Sequence, residues 1–365
     1  MTSPTHIHKP TILVTGANGL IGRWLVPALL NQGYRVLAAM RQPEQREQAY
    51  RAFVERRLEH PNQTRQQLQL VAFSLQEPER LFKDQPELCL PIQAVFHLAA
   101  AFAWDLKQAD THQVNVDASL QLLEQIAHLP QLKRFIWIGG YRVAGKPDLD
   151  DAALYKKLGA YEASKLIAYE RMKEQASELG IPWTALNPSS VIGDSISGDT
   201  TQFIGIAEIV QQLQHKKLAM IPGNRDTFVP LVHVDFVAEF CARLLEYDES
   251  INQEYWLLDD TTPNLDALLQ RFAQQLGVKA PRSHIPVWIL ERLPSFLLPG
   301  SRETLSFLST DRYDISNTKA LAQRMGIAHL LPLNNVEGWV DSLVSQGFGA
   351  AGIAGVHLGS QLSVK

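Results

Sequence analysis

The sequence predicts an α/β protein built on a doubly wound parallel sheet, with a smaller C-terminal lobe for a substrate. Three observations carry that expectation. Short apolar runs alternate with segments of helical spacing from Thr11 to Leu186, the pattern of βαβ units whose sheet is covered on both faces. The first run ends in a glycine-rich loop, Gly16-Ala17-Asn18-Gly19-Leu20-Ile21-Gly22, set between a strand and a helix. After Pro188 the rhythm changes, and the apolar segments become helical or proline-broken.

Taken in order, Thr11 to Thr15 reads as the first strand. Leu20, Ile21, Trp24, Leu25, Ala28 and Leu29 follow at helical spacing and stop at Gly33, with Pro27 predicting a kink. Tyr34 to Met40 makes a second strand, and the polar stretch 43–69 a helix. Leu68 to Phe73 is the third strand and Ala94 to Ala100 the fourth. Val114 to His128 forms an amphipathic helix and Arg134 to Ile138 the fifth strand. Tyr161 to Leu179 is a helix ended by Gly180, and Trp183 to Leu186 the sixth strand. Helices are expected at 203–217, 234–247 and 264–276, with a late strand at Tyr255 to Leu258. The stretch 285–308 is apolar but broken by Pro286, Pro294 and Pro299. The implied organisation is a dinucleotide-binding Rossmann-type unit over 10–187 and a substrate lobe mainly over 188–346. Residues 228–258 return to the core, and a Gly-rich flexible tail covers 347–365.

Composition narrows the function classes. The 365 residues are 45% hydrophobic and 20% charged with a net charge of −4, so there is no basic field for nucleic acid or an anionic membrane. Cys89 and Cys241 form no CxxC pair, which argues against a disulfide framework or Cys-based zinc site and suits a reducing compartment. No apolar run is long enough to span a bilayer, and the N-terminus lacks the apolar core of a signal peptide. A cytoplasmic protein without stable membrane insertion is the expectation. His6 and His8 have no carboxylate or cysteine companions, and no metal site is expected.

A glycine loop between strand and helix lets backbone N–H groups approach a pyrophosphate, which the helix N-terminus stabilises. The spacing here is Gly16-x-x-Gly19-x-x-Gly22, a different turn from GxGxxG serving the same purpose. An acidic side chain after the second strand would hold the ribose hydroxyls of NAD, but the chain has Met40-Arg41-Gln42. A guanidinium suits a 2′-phosphate by charge and bidentate geometry, so NADP(H) is expected over NAD(H), with Arg46 assisting. A solvated arginine at a strand end is the bland alternative.

Tyr161 and Lys165 lie four apart at the start of a predicted helix, on one face. A lysine ammonium about 5 Å from a phenol favours its ionised form by about 3 kcal/mol at an effective dielectric near 20. That is on the order of two pKa units, enough to suit the phenol to proton transfer near neutrality. Alone, YxxxK is a common accident.

The combination resembles the extended short-chain dehydrogenase/reductase family, the NAD-dependent epimerase/dehydratase-like proteins, over nearly all of 10–260. The resemblance rests on the glycine loop, His97-Leu98-Ala99-Ala100, Asn115 between two valines, Tyr161 with Lys165, and Asn187-Pro188-Ser189-Ser190-Val191-Ile192-Gly193 followed by Val232-His233-Val234-Asp235. Val143-Ala144-Gly145 and Pro188 to Ser195 with Gly198 look most like the thioester-reductase and fatty-acyl reductase (male-sterility-like) branch.

The resemblance implies that Gly16, Asn18, Gly19, Leu20, Ile21 and Gly22 line the pyrophosphate and Arg41 the 2′-phosphate. Ser74-Leu75 stand where relatives often hold the adenine with Asp-Leu. Leu98, Ala99 and Ala100 would pass beneath the ribose, and Pro188, Ser190 and Val191 would meet the nicotinamide end. Tyr161 becomes the acid/base, Lys165 its tuner and ribose ligand, and Asn115 a support for a proton-relay water or merely a buried cap at a kink.

One departure stands out. The family places Ser or Thr after the fifth strand, where this chain reads Ile138-Gly139-Gly140-Tyr141-Arg142-Val143, so Gly140 occupies the position. Losing such a donor typically costs about 100–1000-fold in rate. Tyr141 or a backbone N–H could replace it, the substrate could bring its own polarising group, or turnover could be lost; glycine also makes room for a bulkier substrate. Phe102 and Trp104 could wall a substrate pocket or belong to the core. Arg225 could meet an anionic substrate or sit in a solvated turn. His97 suits packing better than acid catalysis, and Val287 to Leu298 could close over an acyl chain or touch a membrane surface, with packing within the lobe the preferred reading.

The expected function is hydride transfer between NADP(H) and a carbonyl or alcohol carbon of a small apolar aldehyde, ketone or thioester-derived substrate. Nucleotide-sugar epimerisation or dehydration with a retained cofactor is the alternative. A non-catalytic NADP sensor or scaffold, motivated by Gly140, is a third. A homodimer is common among such relatives.

Overall fold

The computed structural model describes residues 10–60, 67–100, 107–144, 149–293, 305 and 307–349. Pro294, Pro299 and the tail beyond 349 lie outside the described residues.

Seven strands form one parallel sheet: β1 (Thr11–Thr15), β2 (Arg35–Met40), β3 (Leu68–Ala72), β4 (Ile92–His97), β5 (Arg134–Ile138), β6 (Trp183–Pro188) and β10 (Gln253–Leu257). Their order is β10-β6-β5-β4-β1-β2-β3. From β1 the chain builds outward through β2 and β3, then returns to lay β4, β5 and β6 on the other side. The crevice between the carboxyl ends of β1 and β4 is therefore a topological switch point, where open α/β sheets bind ligands.

Alternation on the strands divides the core. Ile12 and Val14 of β1 face one apolar cluster, with helices α1 (Leu20–Asn31), α2 (Pro43–Glu55) and α7 (Val234–Leu244). Leu13 faces the other, with α3 (Ala118–Ala127), α4 (Asp151–Leu158) and α5 (Ala160–Glu178). All five residues of β1 are buried, as a strand covered on both faces requires. A third cluster joins α6 (Ile206–Gln214), α8 (Leu265–Leu276) and α10 (Val336–Ser345), where Phe272 and Trp339 meet edge to face at 5.9 Å. Helix α9 (Ser316–Arg324) packs on β10, its Thr318 hydroxyl donating to Trp256 O. Short pairings complete the chain: β7 (Ser190–Ile192) with β9 (Leu231–His233), and β8 (Ile221–Pro222) with β11 (His284–Ile285).

Several expected elements differ in extent. The helix after β2 ends at Glu55 rather than 69. Tyr50, Phe53 and Val54 are the side chains it buries, and residues 61–66 lie outside the described residues. The fourth strand ends at His97 rather than Ala100. Leu98 and Ala99 turn onto β1, with Leu98 N donating to Thr15 O at 3.2 Å and Ala99 N to Thr15 Oγ1 at 3.4 Å. The helix expected from Val114 starts as a π-helical turn, His112–Asp117, before becoming α3. Among the described residues, no helix is long and apolar enough to cross a membrane.

Candidate active site

Backbone crowding shapes the glycine loop. Gly16 has φ +69°, and a Cβ there would fall 2.7 Å from Ala99 N and 2.8 Å from Leu98 C. A Cβ on Gly22 would fall 2.5 Å from Gly16 O. Gly19 N donates to Gly16 O at 2.9 Å, closing the turn. Gly19 then starts α1 with no side-chain cap and no acidic residue in the first turn, so the helix's own first turn leaves the positive end of its dipole unneutralised. Leu20 is buried and Ile21 half-buried in that turn.

Sequence reasoning missed Arg23. It is buried, donates to Asn18 Oδ1 at 2.8 Å and to Asn18 O at 3.1 Å, and so braces the loop from behind. Burial pulls its guanidinium below the usual range, Tyr50 opposes this, and Arg46 and Arg57 add to it. That mutual repulsion shows several cations converging beside the loop. Arg41 is exposed at the end of β2, next to Gln42 with φ +50°. A signal was available in the sequence: an arginine directly after the third glycine, on the helix that carries the loop.

Beyond β3, the Ser74 hydroxyl donates to Gln76 Oε1, while Leu75 is buried in the core. Leu98, Ala99 and Ala100 are half-buried along the crevice. Pro188 closes β6, and Ser190 and Val191 lie half-buried on β7.

Tyr161 is the second residue of α5, half-buried, and Lys165 is one turn further on. Lys165 Nζ donates to Ile138 O at 2.9 Å, at the carboxyl end of β5. Burial pulls the ammonium down to about 8. A small cavity beside it is lined by Lys165, His97, Asn115, Ser119, Trp137 and Gly139 among others. The structure thus brings Lys165 and Asn115 together around one space.

Asn115 is buried within the π-helical turn and donates through Nδ2 to Ser164 Oγ at 3.0 Å; Ser164 Oγ donates to Tyr161 O at 2.8 Å. Ser119 Oγ donates to Asn115 O at 2.7 Å, so it must accept from His97 Nε2 at 3.0 Å. His97 Nδ1 then accepts from Thr15 Oγ1 at 2.9 Å, which fixes the tautomer by exhausting the available protons. Burial first, and the Lys165 charge second, push His97 down to about 3. His97 is a neutral bracket between β1 and α3, stacked on Phe135 at 6.2 Å. Thr15, His97, Ser119, Asn115 and Ser164 thereby link the glycine loop to the backbone of Tyr161. Ser119 and Ser164 were not anticipated; both follow a predicted site residue at helical spacing.

Gly140 has extended backbone, and a Cβ there would meet none of the described residues within 4 Å. Its neighbour Gly139 is the opposite: a Cβ would fall 2.2 Å from Asn187 Oδ1. Tyr141 is buried, its ring 5.3 Å from Tyr313 and 6.3 Å from Phe307, and its carbonyl accepts from Trp256 Nε1 at 2.9 Å. Arg142 Nε donates to Glu162 Oε1 at 2.6 Å, tying the segment after β5 to the residue after Tyr161. Arg225 is exposed, and its carbonyl accepts from Asn264 Nδ2. Phe102 and Trp104 lie outside the described residues. Among the described residues, no cluster of His, Cys, Asp and Glu could hold a metal ion.

A family model, NAD dependent epimerase/dehydratase, matches residues 12–257. The chain belongs to this family. The match runs from β1 to the end of β10, so it covers the whole parallel sheet and not the glycine loop alone. The chain is 26% identical to dihydroflavonol 4-reductase of Hordeum vulgare over 300 residues, 76% of this chain and 77% of that protein. It is 23% identical to tetraketide alpha-pyrone reductase 1 of Arabidopsis thaliana over 363 residues, 93% of this chain and 97% of that protein. In fold it is similar to the terminal R domain of the myxalamid PKS-NRPS biosynthetic pathway, with TM-score 0.73 and 20% identity over 94% of this chain and 93% of that one. The expected likeness to the extended short-chain family, the NAD-dependent epimerase/dehydratase-like proteins, is thus met.

Proposed function

We propose that the protein is an NADP(H)-dependent reductase of the extended short-chain family, interconverting a carbonyl and an alcohol on a small, apolar substrate. The observation that carries this reading is the placement of Lys165: desolvated, anchored on Ile138 O at 2.9 Å, and one helical turn from Tyr161.

The residues fit a dinucleotide. The crowded Gly16–Gly22 turn leaves no side chain between the α1 N-terminus and a pyrophosphate, and Arg41 with Arg46 supplies positive charge where a 2′-phosphate would sit. When bound, the nicotinamide supplies or accepts hydride. Tyr161 gives its hydroxyl proton to the substrate oxygen in reduction and recovers it in oxidation. The Lys165 ammonium favours the tyrosinate by about 3 kcal/mol at roughly 5 Å, and its bond to Ile138 O holds it in place. Asn115 and Ser164 hold the Tyr161 backbone through their hydrogen bonds. Gly140 leaves open space where relatives carry a hydroxyl, so the site takes a bulkier group there and polarises the oxygen through Tyr161 alone.

The test is NADPH oxidation against a panel of apolar aldehydes and ketones. Turnover by the native chain, with kcat about 100-fold or more lower in Tyr161→Phe, supports the reading. Turnover untouched by Tyr161→Phe defeats it.

A further inference from the structure

We propose that the surface around β8 and β11 docks on an anionic phospholipid membrane, held by Lys216, Lys217, Arg282 and Arg292, with Trp288 and Met220 entering the headgroup layer. β8 and β11 pair in parallel, and Ile221 N donates to Ser283 O at 2.8 Å. The loops that lead into them, 215–220 after α6 and 277–283 after α8, therefore lie side by side. Lys217, Met220 and Arg282 come from those loops, each within four residues of the pair. The one-turn helix Val287–Leu290 follows β11 after Pro286. Its Leu290 is buried, whereas Trp288 is 58% exposed and Met220, beside β11, is 41% exposed. Every other described tryptophan is buried or half-buried. The packing expected of this stretch thus holds at Leu290 and fails at Trp288.

Charge coincides with this apolar surface. Over 211–222 and 277–293, five lysines and arginines stand against one carboxylate, Glu291. All five, Lys279 included, are exposed. Asp266 approaches from α8 and faces His284 at 3.9 Å. The whole chain carries −4, so attraction to an anionic surface is local and turns this side of the lobe toward it. The Arg292 guanidinium lies 5.0 Å from the Trp288 ring centroid, which keeps charge and ring together. The core of a protein–protein interface is depleted in charged side chains, lysine among them. Here lysine and arginine interleave with the apolar side chains. That mixture suits a headgroup layer, where long cationic stems lie along apolar surface and their charges meet phosphate. A lipid surface answers both features at once.

Co-sedimentation of the full chain with lipid vesicles tests this. Vesicles of phosphatidylglycerol mixed equally with phosphatidylcholine should bind it about 10-fold or more tighter than phosphatidylcholine alone. High salt should remove most of that preference. Lys216→Glu combined with Lys217→Glu should weaken binding by about 20-fold or more, and Trp288→Ala by about fivefold. The control is Lys156→Glu combined with Lys157→Glu, an exposed lysine pair at the end of α4. It should change binding by less than about twofold. All three variants should keep the native urea midpoint, because the altered side chains are exposed. Equal binding to both vesicles, no binding to either, binding that survives both patch substitutions, or equal losses from the two lysine pairs overturns the proposal. So does capture by soluble polyglutamate in place of vesicles, which would make the partner an acidic protein.

Discussion

Gly22 and Gly140 both sit at the carboxyl edge of the sheet, yet a Cβ on Gly22 would fall 2.5 Å from Gly16 O whereas one on Gly140 would meet none of the described residues within 4 Å. The glycine loop is closed by its own backbone, with Leu98–Ala99 on one side, α1 on another and Arg23 behind. Above β5 the chain leaves space, unpaired polar atoms and an aromatic wall from distant segments. A cofactor shared by many relatives can be met by a fixed backbone shape. A particular substrate is met by side chains.

The comparison can be sharpened by substitution, beginning with the largest effect. Tyr161→Phe should lower kcat by about 100–10,000-fold while leaving the NADPH dissociation constant within a few-fold, measured by steady-state kinetics and fluorescence titration. Equal losses in both would mean that the two regions are not separable. Gly22→Ala should cost about 3 kcal/mol or more in urea unfolding, because the Cβ meets backbone that cannot step aside. Gly140→Ser should fold within about 0.5 kcal/mol of the native protein. It should also raise kcat on a small aldehyde by about 10–100-fold, by restoring a donor to the substrate oxygen. A Gly140→Ser protein as damaged as Gly22→Ala would erase the contrast.

A further contrast lies in the response to acid. His97 binds its proton only near pH 3, against an ordinary value of 6.5. As pH falls through that window, the unfolded chain takes up a proton that the folded chain refuses. Stability is therefore full above pH 6.5 and is lost toward pH 3, at up to about 1.4 kcal/mol per pH unit. Lys165 works in the same direction at higher pH. Its folded value near 8 lies below the ordinary 10.5, so stability is full above pH 10.5 and is lost as pH falls toward 8, below which both states are protonated and no further loss follows. His97→Gln should flatten the acid limb of the urea midpoint, and Lys165→Met the alkaline one; unchanged limbs would place those side chains in water.

The strands were legible because continuous apolar runs such as Thr11–Thr15 and Arg134–Ile138 leave little choice of covering. The glycine loop was legible for the same reason: its residue types are dictated by local backbone shape. What stayed hidden depends on contacts between segments far apart in the chain. Gly139 and Gly140 are identical letters side by side, yet one is glycine to clear Asn187 and the other stands open, a difference only the fold can supply. The π-helical turn at His112–Asp117 has no periodicity distinct from a helix. The Arg142–Glu162 pair joins residues twenty positions apart, on a loop and a helix that the sequence does not place together.

We expect the closed crevice beside β1 to hold a phosphorylated dinucleotide, selected by Arg41. The most direct test is a titration of the full chain with NADPH and with NADH, followed by reduced-nicotinamide fluorescence, in the native protein and in Arg41→Ala. Tighter binding of NADPH by about 10-fold or more, with the preference lost in Arg41→Ala and NADH affinity retained, is the predicted result. Equal affinity for both cofactors, or no binding by the folded protein, would contradict it.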